Sequence, residues 1–491
     1  MTDTKTGKTL TLKKKPAATP EAQPAERRKR AGARARQVAQ REIIQEKKGQ
    51  TAAPAPQRPD DRPASRARDS GQPKPSARRP RHDRDDPHAS QRVSVRTSAQ
   101  RRPRASHVRQ NEVFPIFAPC PRGLEEALAA ELLALGFEDT QESRAGCRFS
   151  TDWTGILRAN LYSRLATRIL VQVAHAAVDH EDDILALARA TPWERWFGAE
   201  QSLRVDTSAI RSPMQSLQYC NLRAKDGICD RLREQEGARP DIDTVRPDAR
   251  VHLFLNEDSA TLYLDTSGES LFKRGWRLDK GEAPLRENLA AGLLALSGWD
   301  PACALIDPFC GSGTILIEAA WIALGVPAGI WRPFGFERLR NHDARHWRDI
   351  KDEARAHIAT RLDSPLVGYD LDSRAIEAAK ANLERAWLTP DTIRFEKGDA
   401  RTALPPAAQG WLVTNPPYGE RLPEDTALWA DWAQNLKQHY SGWRVNVISS
   451  DHDLPRHMRL KPQRRYPLHN GALDCRLFSF EMVQASYRKK P

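Results

Sequence analysis

Four times between residues 302 and 415 a short apolar run ends in an acid or an asparagine and gives way to a turn, and this recurrence constrains the fold more than any other feature of the chain. Ala302-Cys303-Ala304-Leu305-Ile306-Asp307 runs into Pro308-Phe309-Cys310-Gly311-Ser312-Gly313-Thr314 and then an apolar helix pattern, Ile315 to Leu324. Leu366-Val367-Gly368-Tyr369-Asp370 is followed by a helix capped by Asp372 or Ser373, with Ile376, Ala379 and Leu383 on its buried face. Ile393-Arg394-Phe395 leads to Gly398-Asp399-Ala400-Arg401, and Trp411-Leu412-Val413 leads to Thr414-Asn415. Such alternation describes a parallel sheet with helices on both faces, in which ligands bind beyond the carboxyl ends of the strands. Asp307, Asp370, Asp399 and Asn415 are therefore expected to share one crevice.

The residue types in that crevice narrow its chemistry. Gly311 and Gly313 let the backbone approach a ligand closely at a helix N-terminus, which favours a carboxylate. The third glycine of a dinucleotide fingerprint is absent, Leu316 standing in its place, and no Walker lysine follows. S-adenosyl-L-methionine fits better than a ligand with a pyrophosphate. Asp370 is placed to accept from ribose hydroxyls and Asp399 from an adenine amine. The candidate cofactor-binding residues are Asp307, Phe309, Gly311, Gly313, Thr314, Asp370, Leu371, Asp399, Ala400 and Asn415. Asn415-Pro416-Pro417-Tyr418 form the candidate catalytic set. The Asn415 oxygen and a backbone carbonyl can accept from a planar NH2 group, the prolines stiffen the turn, and Tyr418 offers a face on which a base can stack.

The rest of the chain divides by composition. Residues 1–110 hold no Phe, Trp or Tyr and carry 29 Lys and Arg against 11 Asp and Glu, whereas 111–491 are net acidic by five charges. This first segment is expected to be a disordered basic arm that follows phosphates, with a short helix near Gln37 to Lys48. No run approaches 18 apolar residues and the N-terminus lacks an apolar core, so neither a membrane span nor a secretory signal is expected, and a cytoplasmic location follows. Seven cysteines without a Cys-x-x-Cys pair read as reduced thiols, with no metal site.

Between the arm and the first acid-ended strand, helix and strand patterns mix. Val113 to Ala118, Ser202 to Thr207, Val251 to Leu255 and Thr261 to Leu264 read as strands, Leu161 to Val173 as strand-rich, and Gly123 to Leu135, Ile184 to Ala190 and Gln215 to Leu232 as helices. This stretch is an α+β module. Its densest basic group, Lys273-Arg274-Gly275-Trp276-Arg277, is a candidate RNA contact in which Trp276 stacks a base and Lys273, Arg274 and Arg277 bind phosphate. Toward the C-terminus, Met458 to Lys461 and Cys475 to Met482 read as a terminal antiparallel pair.

DPFCGSGTILIEAA, GYDLDSRAIEAAKANL, GDAR and TNPPYGERL resemble the ordered motifs of class I adenosylmethionine-dependent methyltransferases. With SLFKRGWR, APLRENLAAGLL, WRDIKDEARAHI and NGALDC, the chain from about 113 to 485 is similar to the THUMP-domain 23S rRNA guanine-N2 methyltransferases of the RlmL type. The resemblance implies a basic arm (1–110), a ferredoxin-like segment (111–165), a THUMP-like RNA-binding domain (166–277) and a class I, Rossmann-like methyltransferase domain (278–491). It also implies N2-methylguanosine in the peptidyl-transferase domain as product, and 23S rRNA or a large-subunit assembly particle as partner. Some members carry a second methyltransferase domain, and no second methylation is expected of the residues up to Pro491. The segment 327–362 is expected beside the site, as a lid or a substrate contact. Enzymes that methylate adenine N6 or cytosine N4 in DNA, or glutamine in release factors, share the Asn-Pro-Pro-Tyr signature. A THUMP-type tRNA guanine-N2 methyltransferase and a non-catalytic RNA-binding ribosome-assembly factor stay open as alternatives.

Overall fold

Two seven-stranded sheets organise the computed structural model, which describes residues 112–278, 285–417 and 427–483. The arm, the helix expected within it and Tyr418 lie outside the described residues.

The first sheet contains β1 (Phe114–Pro119), β2 (Gln141–Ser143), β3 (Gly146–Thr151), β4 (Leu170–Ala177), β5 (Leu203–Ala209), β6 (Ala249–Leu255) and β7 (Ser259–Asp265), in the order β2-β3-β1-β4-β7-β6-β5. Its helices are α1 (Glu125–Ala134), α2 (Trp153–Tyr162), α3 (Glu181–Ala190) and α4 (Leu217–Glu236). Only β5 and β6 pair in parallel, because α4 carries the chain between them; the other pairs are antiparallel. In β6 every second residue is buried, Val251, Leu253 and Leu255 among them, as a strand with one face on a core requires. The stretch Leu161 to Val173 departs from its strand-rich reading. Asp152 caps α2 by accepting from the Gly155 N–H at 2.7 Å, Leu157 and Leu161 share the helix's buried face, and the strand starts only at Leu170.

The second sheet holds β8 (Leu305–Asp307), β9 (Leu366–Asp370), β10 (Arg394–Lys397), β11 (Gly410–Thr414), β12 (Trp443–Ser449), β13 (Arg464–Asn470) and β14 (Leu473–Glu481). The order is β10-β9-β8-β11-β12-β14-β13, with β8 to β12 parallel and β14 antiparallel to both its neighbours. Around it lie α5 (Glu287–Ser297), α6 (Thr314–Ala323), α7 (Ala344–Ala356), α8 (Ser373–Arg385) and α9 (Ala427–His439). The chain leaves β8 toward one side of the sheet and returns in β11 on the other, so the order reverses between these strands and opens a crevice there. Met458 to Lys461 is not a strand: Leu454–His457 form one helical turn that ends there, and the partner of β14 begins at Arg464.

The insertion 327–362 does not lie over the crevice. It straps the second sheet to the first module. Phe336 N–H donates to the Thr266 carbonyl at 2.9 Å, Arg332 donates to the carbonyls of Ser270, Ser267 and Glu269, Arg340 pairs with Glu200 and Glu236, and Thr154 and His346 share a 3.1 Å hydrogen bond. Phe334, Phe336 and Trp347 make the strap's own apolar centre, with ring centroids 5.0 to 5.7 Å apart. These partners hold the segment against the first module.

Candidate active site

Sequence order and spatial order differ at the site. Asp399, Asp370, Asp307 and Asn415 end or follow the adjacent strands β10, β9, β8 and β11, so residues spread over more than a hundred positions stand in one row along the carboxyl edge of the sheet. Backbone hydrogen bonds stitch that edge together. Cys310 N–H donates to the Tyr369 carbonyl at 2.9 Å, and Gly398 N–H to the Asp370 carbonyl at 3.0 Å.

The glycine turn adopts the conformation its sequence suggested. Gly311 and Gly313 have φ of +51° and +80°, the left-handed region that side-chain-bearing residues avoid. A Cβ on Gly313 would stand 2.7 Å from the Phe395 ring, whereas one on Gly311 would point into open space. Gly313 is thus needed for packing, and Gly311 leaves room beside the crevice. Thr314 follows as the buried first residue of α6.

Asp370 reaches both sides of the turn. One carboxylate oxygen accepts from Gly311 N–H at 3.0 Å and the other from Asp372 N–H at 2.9 Å. Asp372 caps α8 in turn, and Leu371 between them is more than half exposed. Asp399 is bound by Arg401 at 2.7 Å, and that guanidinium holds its carboxyl below the usual range. Next to it Ala400 is buried, its carbonyl accepting from Asn435 on α9 at 3.0 Å.

Asp307 differs from the expectation that it touches the cofactor. Its side chain is buried, with one carboxylate oxygen accepting from the Thr414 hydroxyl at 2.6 Å and from Phe309 N–H at 3.1 Å. Burial pushes its pKa up to about 7, and the nearby charge of Asp370 adds to the rise while the two donors oppose it. The group ties the glycine turn to the Asn415 strand and presents no surface of its own. Beyond it, Asn415 Oδ1 is buried and has no hydrogen-bond partner among the described residues, and Pro416 is buried with Pro417 half-buried. A buried acceptor without a donor costs about 1–3 kcal/mol, so a donor from outside the described residues would stabilise this position. Phe309 forms the near wall, edge-on to Trp432 with centroids 5.1 Å apart.

Two contributors escaped sequence reasoning. Thr414 reads only as the last residue of a strand until Asp307 is seen beside it. Asn435 had a signal, a single amide on an otherwise apolar helix face of Trp429, Trp432, Ala433 and Leu436.

The expected RNA contacts are corrected by burial. Arg274 is 1% and Trp276 2% exposed. Arg274 pairs with Glu318 of α6 at 3.2 Å and donates to the Arg164 carbonyl at 2.7 Å, Trp276 sits edge-on to Trp321, and Arg277 pairs with buried Glu287 at 3.1 Å. Of the four, Lys273 is exposed, beside Glu269, and Arg277 is partly buried. The group is a seam between the two sheets because it carries the counter-charges for carboxylates buried on α5 and α6.

Three domain families match the chain in succession: the RlmL ferredoxin-like domain over residues 115–170, the THUMP domain over 178–265 and the RMKL-like methyltransferase domain over 274–479. A ribosomal RNA large subunit methyltransferase K/L of Syntrophotalea carbinolica is 40% identical over 385 residues, which are 76% of this chain and 54% of that protein. The chain spans about half the length of the curated relatives it matches. Among solved structures, a possible methylase from Clostridium difficile 630 is 29% identical with a TM-score of 0.70, the match covering 77% of this chain and all of the other. SMU.472, solved in complex with SAH, is 27% identical with a TM-score of 0.69 over the same shares.

Proposed function

The chain belongs to the methyltransferases that set an RlmL ferredoxin-like domain and a THUMP domain ahead of an RMKL-like methyltransferase domain, and from that premise we propose that it methylates the exocyclic N2 of a guanosine in the peptidyl-transferase domain of 23S rRNA, using S-adenosyl-L-methionine. The observation that carries this reading is Asn415 Oδ1, buried and without a partner among the described residues, at the switch point of the second sheet, one strand away from the glycine turn. An acceptor held there suits an NH2 donor.

The residues fit the donor molecule as well. The open space at Gly311 admits a ligand against the turn, Asp370 stands at the end of β9 for a ribose diol, and Asp399 stands one strand further for an adenine amine once Arg401 shares it. S-adenosyl-L-methionine, when bound, supplies an electrophilic methyl group on a sulfonium. Asn415 accepts from the guanine N2 amine and turns its lone pair out of conjugation with the ring, and the prolines hold that acceptor in place. No proton-abstracting base is required, because the methylated amine is acidic enough to lose its proton to water. The module built on the first sheet carries the RNA, as its THUMP match suggests, and 23S rRNA or a large-subunit assembly particle in the cytoplasm is the partner.

The test is transfer of labelled methyl groups to a 23S rRNA fragment and to tRNA, followed by mass mapping of nucleosides. N2-methylguanosine in 23S rRNA supports the reading. Methylation of tRNA alone would move it to the tRNA enzymes, and no transfer to either RNA would leave an RNA-binding factor.

A further inference from the structure

Two tryptophans stand side by side in solvent at the end of the second domain away from the crevice. Trp331 is 41% and Trp387 72% exposed, with centroids 5.4 Å apart and planes 37° from parallel. Trp331 follows α6 and Trp387 follows α8, and both helices start at the crevice edge. At 1.5 Å per residue, their 10 and 13 residues place the pair about 15–20 Å from the glycine turn. Trp387 also has φ of +60°, a conformation that non-glycine residues adopt at a cost. An exposed indole in a strained backbone contributes little to a core, so its place asks for another explanation.

The surroundings supply one. The Arg355 guanidinium lies over the Trp331 ring at 5.7 Å, held there by Asp352 at 2.7 Å. Arg348, Lys351 and Arg355 recur at helical spacing on one flank of α7, a basic track about 10 Å long that runs into the aromatic pair. The acids Asp349 and Glu353 lie toward the other exposed flank, whereas Asp352 sits between Arg348 and Arg355 and pairs with Arg355 within the track. Aromatic faces beside a row of cations match a nucleic-acid single strand, whose bases stack and whose phosphates pair.

We propose that Trp331, Trp387 and the Arg348–Arg355 flank of α7 form a second RNA-docking surface, which stacks one or two unpaired bases of the substrate on the face remote from the methylation site. The inference rests on the chain binding RNA, as the proposed reaction requires, but not on which base is methylated. Stacking and charge respond differently to salt, which separates this surface from the arm. Loss of a stacked base lowers affinity at every salt concentration, whereas loss of cations flattens the slope.

The experiment measures binding of a fluorescent oligoadenylate RNA to the full chain across a salt series, beside methyl transfer. Trp387→Gly removes the indole and relaxes the left-handed backbone, so its thermal midpoint should hold or rise while affinity falls about ten-fold at all salts. Trp331→Ala should behave alike in binding, Trp387→Tyr should restore it, and Arg348→Ala should reduce the slope. Unchanged affinity in Trp387→Gly overturns the proposal. So does wild-type self-association that the tryptophan variants abolish, because the face would then be a protein interface. Loss of oligoadenylate binding in the variants, with no methylation by wild type, would sink the proposed reaction and leave the docking surface standing.

Discussion

Thr414 donates to Asp307 at 2.6 Å, and this hydrogen bond joins the strand that presents Asn415 to the strand that presents the glycine turn. Both side chains are buried, at 0% and 1% exposure, so neither has water as an alternative partner. Thr414→Val keeps the shape and removes the donor. Loss of this donor, which leaves Asp307 Oδ1 with Phe309 N–H alone, should cost about 1–3 kcal/mol of stability. Methyl transfer should fall with kcat more than with donor KM, because what is lost is the alignment of two loops. Thr414→Ser restores the hydroxyl and should recover most of both. Denaturant titration and steady-state kinetics of the three proteins check this, and equal kcat in Val and Ser variants would reduce Thr414 to packing.

Asp307 itself should make stability depend on pH. In the folded chain it keeps its proton to about 7, whereas an unfolded aspartate releases it near 3.8. Between those values the folded state binds more protons than the unfolded one, so stability is greatest at the acid end and declines as pH rises toward neutrality. Asp307→Asn abolishes the titration while keeping an acceptor for Thr414. The difference in stability between the two proteins should change in favour of the variant by a few kcal/mol, roughly, from about pH 4 to about pH 7. Parallel curves measured by denaturation across that range would show that Asp307 ionises normally.

The row of strand ends was legible in the sequence because each member is local. A run of Leu and Ile closed by Asp307, or of Leu and Val closed by Asp370, announces its own strand, its own turn and the helix after it. The seam was not legible, because its logic is long-range. Lys273 to Arg277 look like a surface patch until Glu318, more than forty residues later, turns out to face Arg274. The same holds for the strap, whose Phe336 answers Thr266 and whose Arg340 answers Glu200. Local composition shows a charge but not the buried partner that will cancel it. Leu161 to Val173 failed for a related reason, since its apolar residues serve first a helix end and then a strand.

The seam makes its own prediction. Glu318 is fully buried and faces Arg274 at 3.2 Å and Arg164 at 3.6 Å, the second contact being an ion pair beyond hydrogen-bond reach. Glu318→Gln leaves buried cations without a counter-charge, and one broken buried pair costs about 3–5 kcal/mol. Arg274→Ala should cost a similar amount and leave the salt dependence of RNA binding as it was, because Arg274 touches no phosphate. Lys273→Ala should be close to neutral for stability. Chemical denaturation and RNA titration of the three variants test the assignment. A flattened salt slope in Arg274→Ala, without loss of stability, would return Arg274 to the RNA surface.

Asp370 and Asn415 stand two strands apart in the same row, and their losses should fall on different steps. Asp370→Ala removes an acceptor placed for a ribose diol and frees the Gly311 N–H it now holds at 3.0 Å, so donor affinity should drop about ten- to a hundred-fold. Saturating donor should then recover much of the rate. Asn415→Ala removes an acceptor that has no partner among the described residues, so folding and donor binding should be unaffected. Its single-turnover rate should fall about a hundred-fold or more and should not recover with excess donor or RNA, because the lost interaction acts on the amine as it attacks. Calorimetry with S-adenosyl-L-methionine and single-turnover methylation of a 23S rRNA fragment separate the two. If Asn415→Ala loses donor binding as well, Oδ1 is an element of the donor pocket, and the amine must be oriented by the carbonyls of the proline turn alone.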